Sequence, residues 1–428
     1  MNIAKMLHNN SKLIQIGLVA NILEWYEFSI YVFFITTMSR LYFPAGDSLS
    51  NFLQAWALFS FSYLARPLGS VYWGYIGDTK GHSHSLKVSL LLMAIPTIFI
   101  GLLPTYNTIG VLAPISLFVL RLIQGFAAGG ELPISACYVF ENSASKWRSI
   151  LCSTVATGSN IGLLMASLIA AIIFWSFDPE SIVSKGLWRI PYLLSIPMTL
   201  WIFYIRSSIE SSIQPTEIKS IKQHLIAQKN TLVNVCKTSL LPFILVVGFM
   251  EVCFYSIILY LPSYLEHFLK LPSATAKLLN TLTLCVHIPM LLLSGYIAEY
   301  ITYKRVLILH TLALILLSYP LFYGLQYAAM HHSFTGLLGI QFVLAYLVSG
   351  LGAVMMEALG YAYPSAIRAS GMSMTHTLAA TIFGGTTPVL CSWMIHKTGL
   401  LLFPAFYIIS FGVIILPILL RLQLRSSD

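Results

Sequence analysis

Stretch after stretch of this chain runs for about 20 residues with almost no charge, the length an α-helix needs to cross the hydrocarbon core of a bilayer. Twelve such stretches can be marked: 14–38, 50–75, 87–105, 111–138, 149–175, 187–206, 238–262, 273–298, 306–326, 335–363, 370–396 and 402–421. In lipid every backbone amide and carbonyl must be paired within the protein, which restricts spanning structures to helices and closed barrels. Barrel strands are about 10 residues long and alternate polar with apolar; these runs are longer and apolar throughout. The residues are 57% hydrophobic and 9% charged, against about 25% charged in soluble domains. The expected fold class is therefore an all-α polytopic membrane protein with twelve transmembrane helices.

The longest polar segment, 207–237, divides the runs six and six. It reads as a cytoplasmic linker between an N-terminal six-helix bundle (1–206) and a C-terminal one (238–428), with room for a short surface helix. With the N-terminus inside, the inner segments hold sixteen Lys and Arg and the outer ones six. This bias predicts both termini in the cytoplasm. It also accounts for the net charge of +9 without a nucleic-acid partner. The outer six include Lys270 and Lys277. The six cysteines are scattered with no C-x-x-C pair, so no disulfide framework is expected. The polar start MNIAKMLHNNSK lacks a small-residue cleavage site after it, so the first span reads as a retained helix.

The two halves repeat. Glu24 matches Glu251 with a shared E-x4-S-I, GYIGD at 74–78 matches GYIAE at 295–299, Glu131 matches Glu357, and Arg148 matches Arg368. FVLRLIQG at 118–125 also resembles FVLAYLVSG at 342–350. The four matches lie 220 to 227 residues apart, which points to duplication. Parallel halves with a site between them are a transporter architecture.

Several stretches carry a family resemblance. RPLGSVYWGYIGDTKG (66–81) resembles the G-x-x-x-D-x-x-G signature of the major facilitator superfamily. His82-Ser83 stand where a basic residue usually follows, and Lys87 is the nearby substitute. GLVANILEWYEF (17–28), RLIQGFAAGGE (121–131), LWRIPYLLSIP (187–197) and YPSAIRASGMS…FGGTTP (363–388) are similar to segments of the metabolite:proton symporter family, in order along most of the chain. That family includes proline/betaine, 2-oxoglutarate, citrate and shikimate transporters. The resemblance implies two pseudo-symmetric six-helix halves whose spans 1, 4, 7 and 10 line a central cavity. It also implies that the 66–81 loop and its repeat hold one conformation shut on the cytoplasmic side. The gating candidates are Arg66, Gly74, Asp78, Gly81, Glu131, Arg148, Glu299, Arg305 and Arg368, with Arg148 a candidate partner for Asp78. In span 1 the family's Asp is Glu27, a carboxylate one methylene longer, and its Asn is displaced to Asn21.

Each of those four spans carries an acid: Glu24 and Glu27, Glu131, Glu251, and Glu357. An ionisable group at mid-membrane costs roughly 2.5–3.5 kcal/mol on insertion scales and is functional by default. Glu24 and Glu27 are three residues apart and share a helix face. Glu24 and Arg121 each lie ten residues into their spans, about 15 Å deep, so they are expected to meet. A buried carboxyl can exchange protons near neutral pH, and Arg can grip a carboxylate with two parallel bonds. Glu27 or Glu24 is thus the expected proton carrier. Arg121, Glu24, Tyr31, Gln124, Glu251, Tyr255, Glu357 and Tyr361 are the expected substrate-binding set. A permanent Arg121–Glu24 pair that only fixes packing is the structural alternative. Tyr26, Tyr31, Tyr255 and Tyr361 could stack on a quaternary amine, although packing is the simpler role for any one of 23 tyrosines.

Gly125/Gly129 and Gly158/Gly162 read as close helix contacts, and Gly384-Gly385 with Pro388 as a bend in span 11. His82, His84, His331 and His332 lack Cys or acid at ligand spacing, so no metal is expected. No cofactor is expected either. The phosphate-binding loop G-x-x-x-x-G-K-[ST] is missing, as are G-x-S-x-G and H-E-x-x-H, which argues against ATP-driven transport and against an enzyme. The sequence reading is a monomeric symporter of the bacterial inner membrane. It imports a small organic acid or zwitterion with protons, and its partners are that solute, protons and lipid. An exporter of a drug or metal chelator on the same fold is the alternative. A transport-inactive sensor is the alternative of another class; a signalling domain or long tail would mark it.

Overall fold

Proline and glycine punctuate the apolar runs, and the helices break where they fall. The computed structural model describes residues 10–43, 47–80, 82–208, 240–365 and 368–422. Most of the 207–237 linker therefore lies outside the described residues. The main helices are α1 (Ser11–Phe33), α2 (Ile35–Tyr42), α3 (Ser48–Tyr63), α4 (Arg66–Lys80), α5 (His82–Leu102), α6 (Leu112–Ala128), α7 (Glu131–Asn142), α8 (Arg148–Ser176) and α9 (Ser195–Ser208). After the linker come α10 (Leu241–Phe254), α11 (Leu261–His267), α12 (Ser273–Ile301), α13 (Tyr303–Met330), α14 (Phe334–Ala362), α15 (Arg368–Ala379), α16 (Thr387–Thr398) and α17 (Phe403–Arg421). Helices in direct sequence form twelve crossings: α1–α2, α3–α4, α5, α6–α7, α8, α9, α10–α11, α12, α13, α14, α15–α16 and α17. Among the described residues, nine runs are long and apolar enough to cross a membrane by themselves. The other three crossings are the broken α3–α4, α5 with its shorter apolar core Val88–Leu102, and α9.

The breaks have local causes. Pro67 disfavours helical geometry at the residue before it, and α3 ends just upstream. Gly130 caps α7 outside helical geometry (φ −128°). Span 7 passes through a π-turn at Tyr255–Leu259, closed by Tyr260 N–H to Tyr255 O at 2.8 Å. Span 11 does the same at Ala380–Gly384, with Gly385 N–H to Ala380 O at 2.8 Å. A proline follows each, Pro262 and Pro388. It cannot donate to the carbonyl four residues back, so the turn before it loosens.

Small residues set the closest helix contacts. A Cβ on Gly162 of α8 would lie 2.1 Å from the Ile22 carbonyl oxygen of α1, and one on Gly125 of α6 would lie 1.8 Å from Ser62 O of α3. Both glycine pairs read from the sequence thus serve packing. Burial sorts the crossings. Residues 21–34 of span 1 are all buried, as are 347–360 of α14 apart from Gly352. By contrast, α5, α9, α13 and α17 show large apolar side chains outward, such as Phe99, Trp201, Leu316 and Ile414. These stretches of spans 1 and 10 are enclosed by protein; spans 3, 6, 9 and 12 face lipid.

Candidate functional site

The enclosed part of α1 presents both acids to other helices. Glu27 is fully buried, and its Oε2 accepts from the Thr97 hydroxyl of α5 at 3.0 Å. Thr97 Oγ1 in turn accepts from Gln124 Nε2 of α6 at 2.7 Å, and Gln124 Oε1 accepts from Arg121 Nη1 at 3.0 Å. Four side chains from three helices thus link an acid to a guanidinium through two neutral groups. Thr97 Oγ1 also lies 3.0 Å from Met93 O. A hydroxyl has one proton and two acceptor sites. With Glu27 ionised, the hydroxyl donates to the carboxylate. With Glu27 protonated, it can accept from the acid and donate to Met93 O. Both protonation states of Glu27 are therefore hydrogen-bonded without rearrangement of the helices.

Arg121 is fully buried as well. Its guanidinium lies over Tyr31 (4.3 Å to the ring centre) and Phe28 (4.6 Å). Its Nε and Nη2 have no hydrogen-bond partner among the described residues. A buried cation costs much unless paired, so this half-satisfied guanidinium is set to receive an anion.

The partner of Glu24 differs from expectation. Glu24 Oε1 lies 3.7 Å from Arg66 Nη2, while Arg121 turns to Gln124 and the aromatic rings. Depth along the span does not choose the partner; rotation about the helix axes does. Arg66 stands at the start of α4, after the break in span 2, and this turns it inward. It was grouped with the gate residues and lies instead at the centre, 4.6 Å from the Phe28 ring centre and 4.2 Å from that of Tyr63. Phe28 thus touches both guanidinium groups.

The C-terminal half meets this centre through Tyr255, whose hydroxyl pairs with that of Tyr63. Beside it, Glu251 Oε1 lies 3.2 Å from His376 Nε2 of α15. Gly384 and Gly385 make room for the two tyrosines: a Cβ on Gly385 would fall 2.8 Å from Tyr63, and one on Gly384 2.9 Å from Tyr255. Tyr31 and Tyr26 donate to Ala55 O (2.9 Å) and Pro191 O (2.7 Å), so both hydroxyls are anchored in packing.

At the end of the bundle where spans 4 and 5 join, the other candidates tie the halves together. Arg148 donates to Tyr361 Oη at 2.9 Å and to Ser143 O at 3.1 Å, and Ser149 donates to Glu357. Glu299 Oε1 accepts from the Ile150 N–H at 3.0 Å, an anion at the N-terminus of α8. Arg368 pairs with Glu141 at 2.7 Å and donates to Gly360 O at 2.8 Å. Glu131 is buried in the first turn of α7. Gly74 lies in α4, and Arg305 is exposed at the start of α13. The side chain of Asp78, and Gly81 altogether, lie outside the described residues, and with them the proposed Asp78–Arg148 contact. At the opposite end, Lys277, counted above among loop cations, is buried in α12 and paired with Glu266.

Thr97, Phe28, Tyr63, Glu141, Ser149 and His376 are not among the candidates that the sequence offers. Thr97 and Ser149 gave no signal, because a hydroxyl in an apolar helix usually bonds its own backbone. Glu141 had one: an acid in the inner loop beside Arg148, opposite the repeated Arg368. No group of three or more potential metal ligands exists among the described residues.

A two-half, twelve-crossing bundle with ionisable groups buried at its centre defines a membrane transporter. The sequence model described as "Sugar (and other) transporter" matches residues 13–214. The chain is 32% identical over 411 residues to a putative proline/betaine transporter of Staphylococcus aureus, covering 96% of this chain and 87% of that one. It is 28% identical to the proline/betaine transporter of Salmonella typhimurium, covering 94% and 81%. Among solved structures, the proton:xylose symporter XylE superposes with a TM-score of 0.73 at 14% identity, covering 96% of this chain and 94% of that one. A partially occluded inward-open form of XylE from E. coli gives 0.73 at 15% identity, covering 96% and 99%. The chain belongs to the major facilitator superfamily, in the metabolite:proton symporter family with the proline/betaine transporters. It is a transporter and not an enzyme.

Proposed function

We propose that the protein is a proton-coupled symporter that imports a small carboxylate-bearing solute, zwitterionic or acidic, by alternating access. One observation carries this reading: the buried chain Glu27–Thr97–Gln124–Arg121, which joins a proton-carrying acid to a cation with two unused donors. A carboxylate arriving at Arg121 Nε and Nη2 would draw the guanidinium and change the bond from Nη1 to Gln124. Gln124 and Thr97 pass that change to the site where the proton sits, which is a route for coupling the two cargoes. The aromatic wall of Phe28, Tyr31 and Tyr63 suits an alkylated ammonium at the other end of a zwitterion, and Glu24 and Glu251 supply anions nearby. The names of the curated relatives, proline/betaine transporters, support a zwitterion of that kind.

Alternating access needs ties that break at one end while others form at the other. The pairs Arg368–Glu141, Ser149–Glu357 and Ile150–Glu299 suit the cytoplasmic set, in the orientation that the Lys and Arg bias gives: both termini inside, in the cytoplasmic membrane of a bacterium. The halves 1–206 and 238–428 then act as the two moving bodies of a monomer, joined by the 207–237 segment. The test is Glu27→Gln in proteoliposomes under an imposed pH gradient, with labelled proline and glycine betaine. Gradient-driven accumulation should vanish while counterflow exchange persists. Intact accumulation in Glu27→Gln would sink the proton role.

A further inference from the structure

A cavity of about 680 Å³ opens at the end of the bundle away from Arg148 and Arg368, where the ends of spans 1, 5 and 7 converge. In the orientation proposed above, on which this inference rests, it faces the outside. Its floor is sealed. Glu266 takes Lys277 and Ser273 from its own half and the Thr36 hydroxyl, at 3.0 Å, from the other half. His267 stacks on Phe52 across the same boundary, 4.2 Å between ring centres.

The rim carries the unspent charge. Arg40 and Lys270 line the cavity, are exposed, and have no ion-pair partner among the described residues. Of the lining acids, Glu266 is neutralised by Lys277. Asp178 accepts from the Ser181 N–H at 2.8 Å, a bond that holds its carboxyl below the usual range and keeps it an anion, next in sequence to Phe177. Lys270 also has a left-handed backbone, φ 58°. Glycine is the usual residue for that conformation after a helix, and another residue there costs on the order of 1 kcal/mol. The side chain at this position is a cation in the cavity lining. The exposed rings of Trp175 and Phe177 line the same cavity.

We propose that this cavity is an external docking subsite for small carboxylate-bearing zwitterions, with Arg40 and Lys270 taking the carboxylate and Trp175 and Phe177 facing the alkylated ammonium. A solute held there waits directly above the Thr36–Glu266 seal, so its local concentration is raised at the moment the seal opens. The subsite is distinct from Arg121, which lies fully buried in the middle of the molecule.

Binding can be read without transport. Ala274, in the cavity wall, is changed to Cys in a Cys285→Ser background, and intact cells are labelled with a membrane-impermeant maleimide. Glycine betaine should slow labelling several-fold. Choline, which keeps the quaternary ammonium and replaces the carboxylate by an alcohol, should not. Protection should disappear in Arg40→Ala/Lys270→Ala, whose labelling rate without solute must match the parent, and should persist in Arg121→Ala. The subsite is overturned by equal protection from choline, by no protection from glycine betaine, by protection that survives the double substitution, or by its loss in Arg121→Ala. Labelling confined to inside-out vesicles would overturn the orientation and the subsite together. A failure of the Glu27 role would appear only in pH-driven uptake and leave these rates unchanged.

Discussion

Spans 1 and 7 share one sequence pattern but carry different side chains around it. Glu24 and Glu251 match, as do Ser29-Ile30 and Ser256-Ile257. At the same offset Glu27 is replaced by Phe254, whose ring packs edge-on against Trp25 with centres 5.4 Å apart. In the repeated FVL segments, Arg121 is replaced by Ala345. The relay from acid to guanidinium therefore exists in one half only. Span 7 has instead a π-turn and a buried tyrosine where span 1 has regular helix. Both inner helices carry the acid of the repeat, Glu24 and Glu251; the N-terminal one adds Glu27, and the C-terminal one has the π-turn instead.

The strongest attempt to break this asymmetry moves the acid. Glu27→Gln with Phe254→Glu keeps the number of carboxylates but puts the new one on the half that lacks Thr97, Gln124 and Arg121. Gradient-driven accumulation should stay at the background level of Glu27→Gln alone. Recovery would mean that any central acid suffices and that the relay is incidental.

Thr97→Val tests the relay with the acid in place. The substitution keeps the shape and removes the hydroxyl that serves Glu27 and Gln124. A hydrogen bond to a charged group contributes about 1.5–3 kcal/mol, so coupled uptake should fall roughly tenfold or more. Thr97→Ser should restore it, which a pure packing role for the methyl would not predict. Uncoupled counterflow should change little.

How far the sequence could lead is visible in these residues. Hydropathy placed the crossings, because each needs a long apolar run whatever its neighbours are. The internal repeat and the buried acids marked the central helices, because charge is rare in lipid. Pairing was illegible: Glu24 met Arg66 rather than Arg121. The choice depends on helix rotation and on the break before Pro67, and depth along the axis carries neither. Thr97 was illegible for another reason, since a hydroxyl beside its own helix backbone looks the same whether or not it serves a second partner. Lys277 was misread because a cation near a helix end looks like a loop residue until its Glu266 partner, from a different crossing, is known.

Packing offers a third comparison. Span 1 lies backbone to backbone on α8, where a Cβ on Gly162 would sit 2.1 Å from Ile22 O. Span 7 meets span 11 through a side chain: a Cβ on Gly248 would sit 2.4 Å from a ring carbon of Phe383. A ring can turn aside more easily than a helix can move. Gly162→Ala should therefore cost about 1–3 kcal/mol, read as a lower Tm of the purified protein, and Gly248→Ala less. Equal losses would show that the two halves are equally stiff.

The smallest effect concerns the tie across the ends that the proposed orientation makes cytoplasmic. Arg368 and Glu141 pair at 2.7 Å, with side chains 18% and 40% exposed. A pair so accessible to water contributes about 0–1 kcal/mol, and salt screens it. Arg368 also donates to the Gly360 and Tyr363 carbonyls in its own half, so Glu141→Gln leaves it anchored and removes only the link between halves. A link present in one conformation and absent in the other shifts their ratio by its own free energy, here at most about fivefold. The variant should show that shift as faster labelling of a cysteine placed at Ser145, at the same end of the bundle, with the coupling ratio of proton to solute unchanged. A much larger shift would make this pair the main lock of that end. No shift would leave the work to the buried contact Ser149–Glu357 and the part-buried contact Ile150–Glu299, which lose less to water.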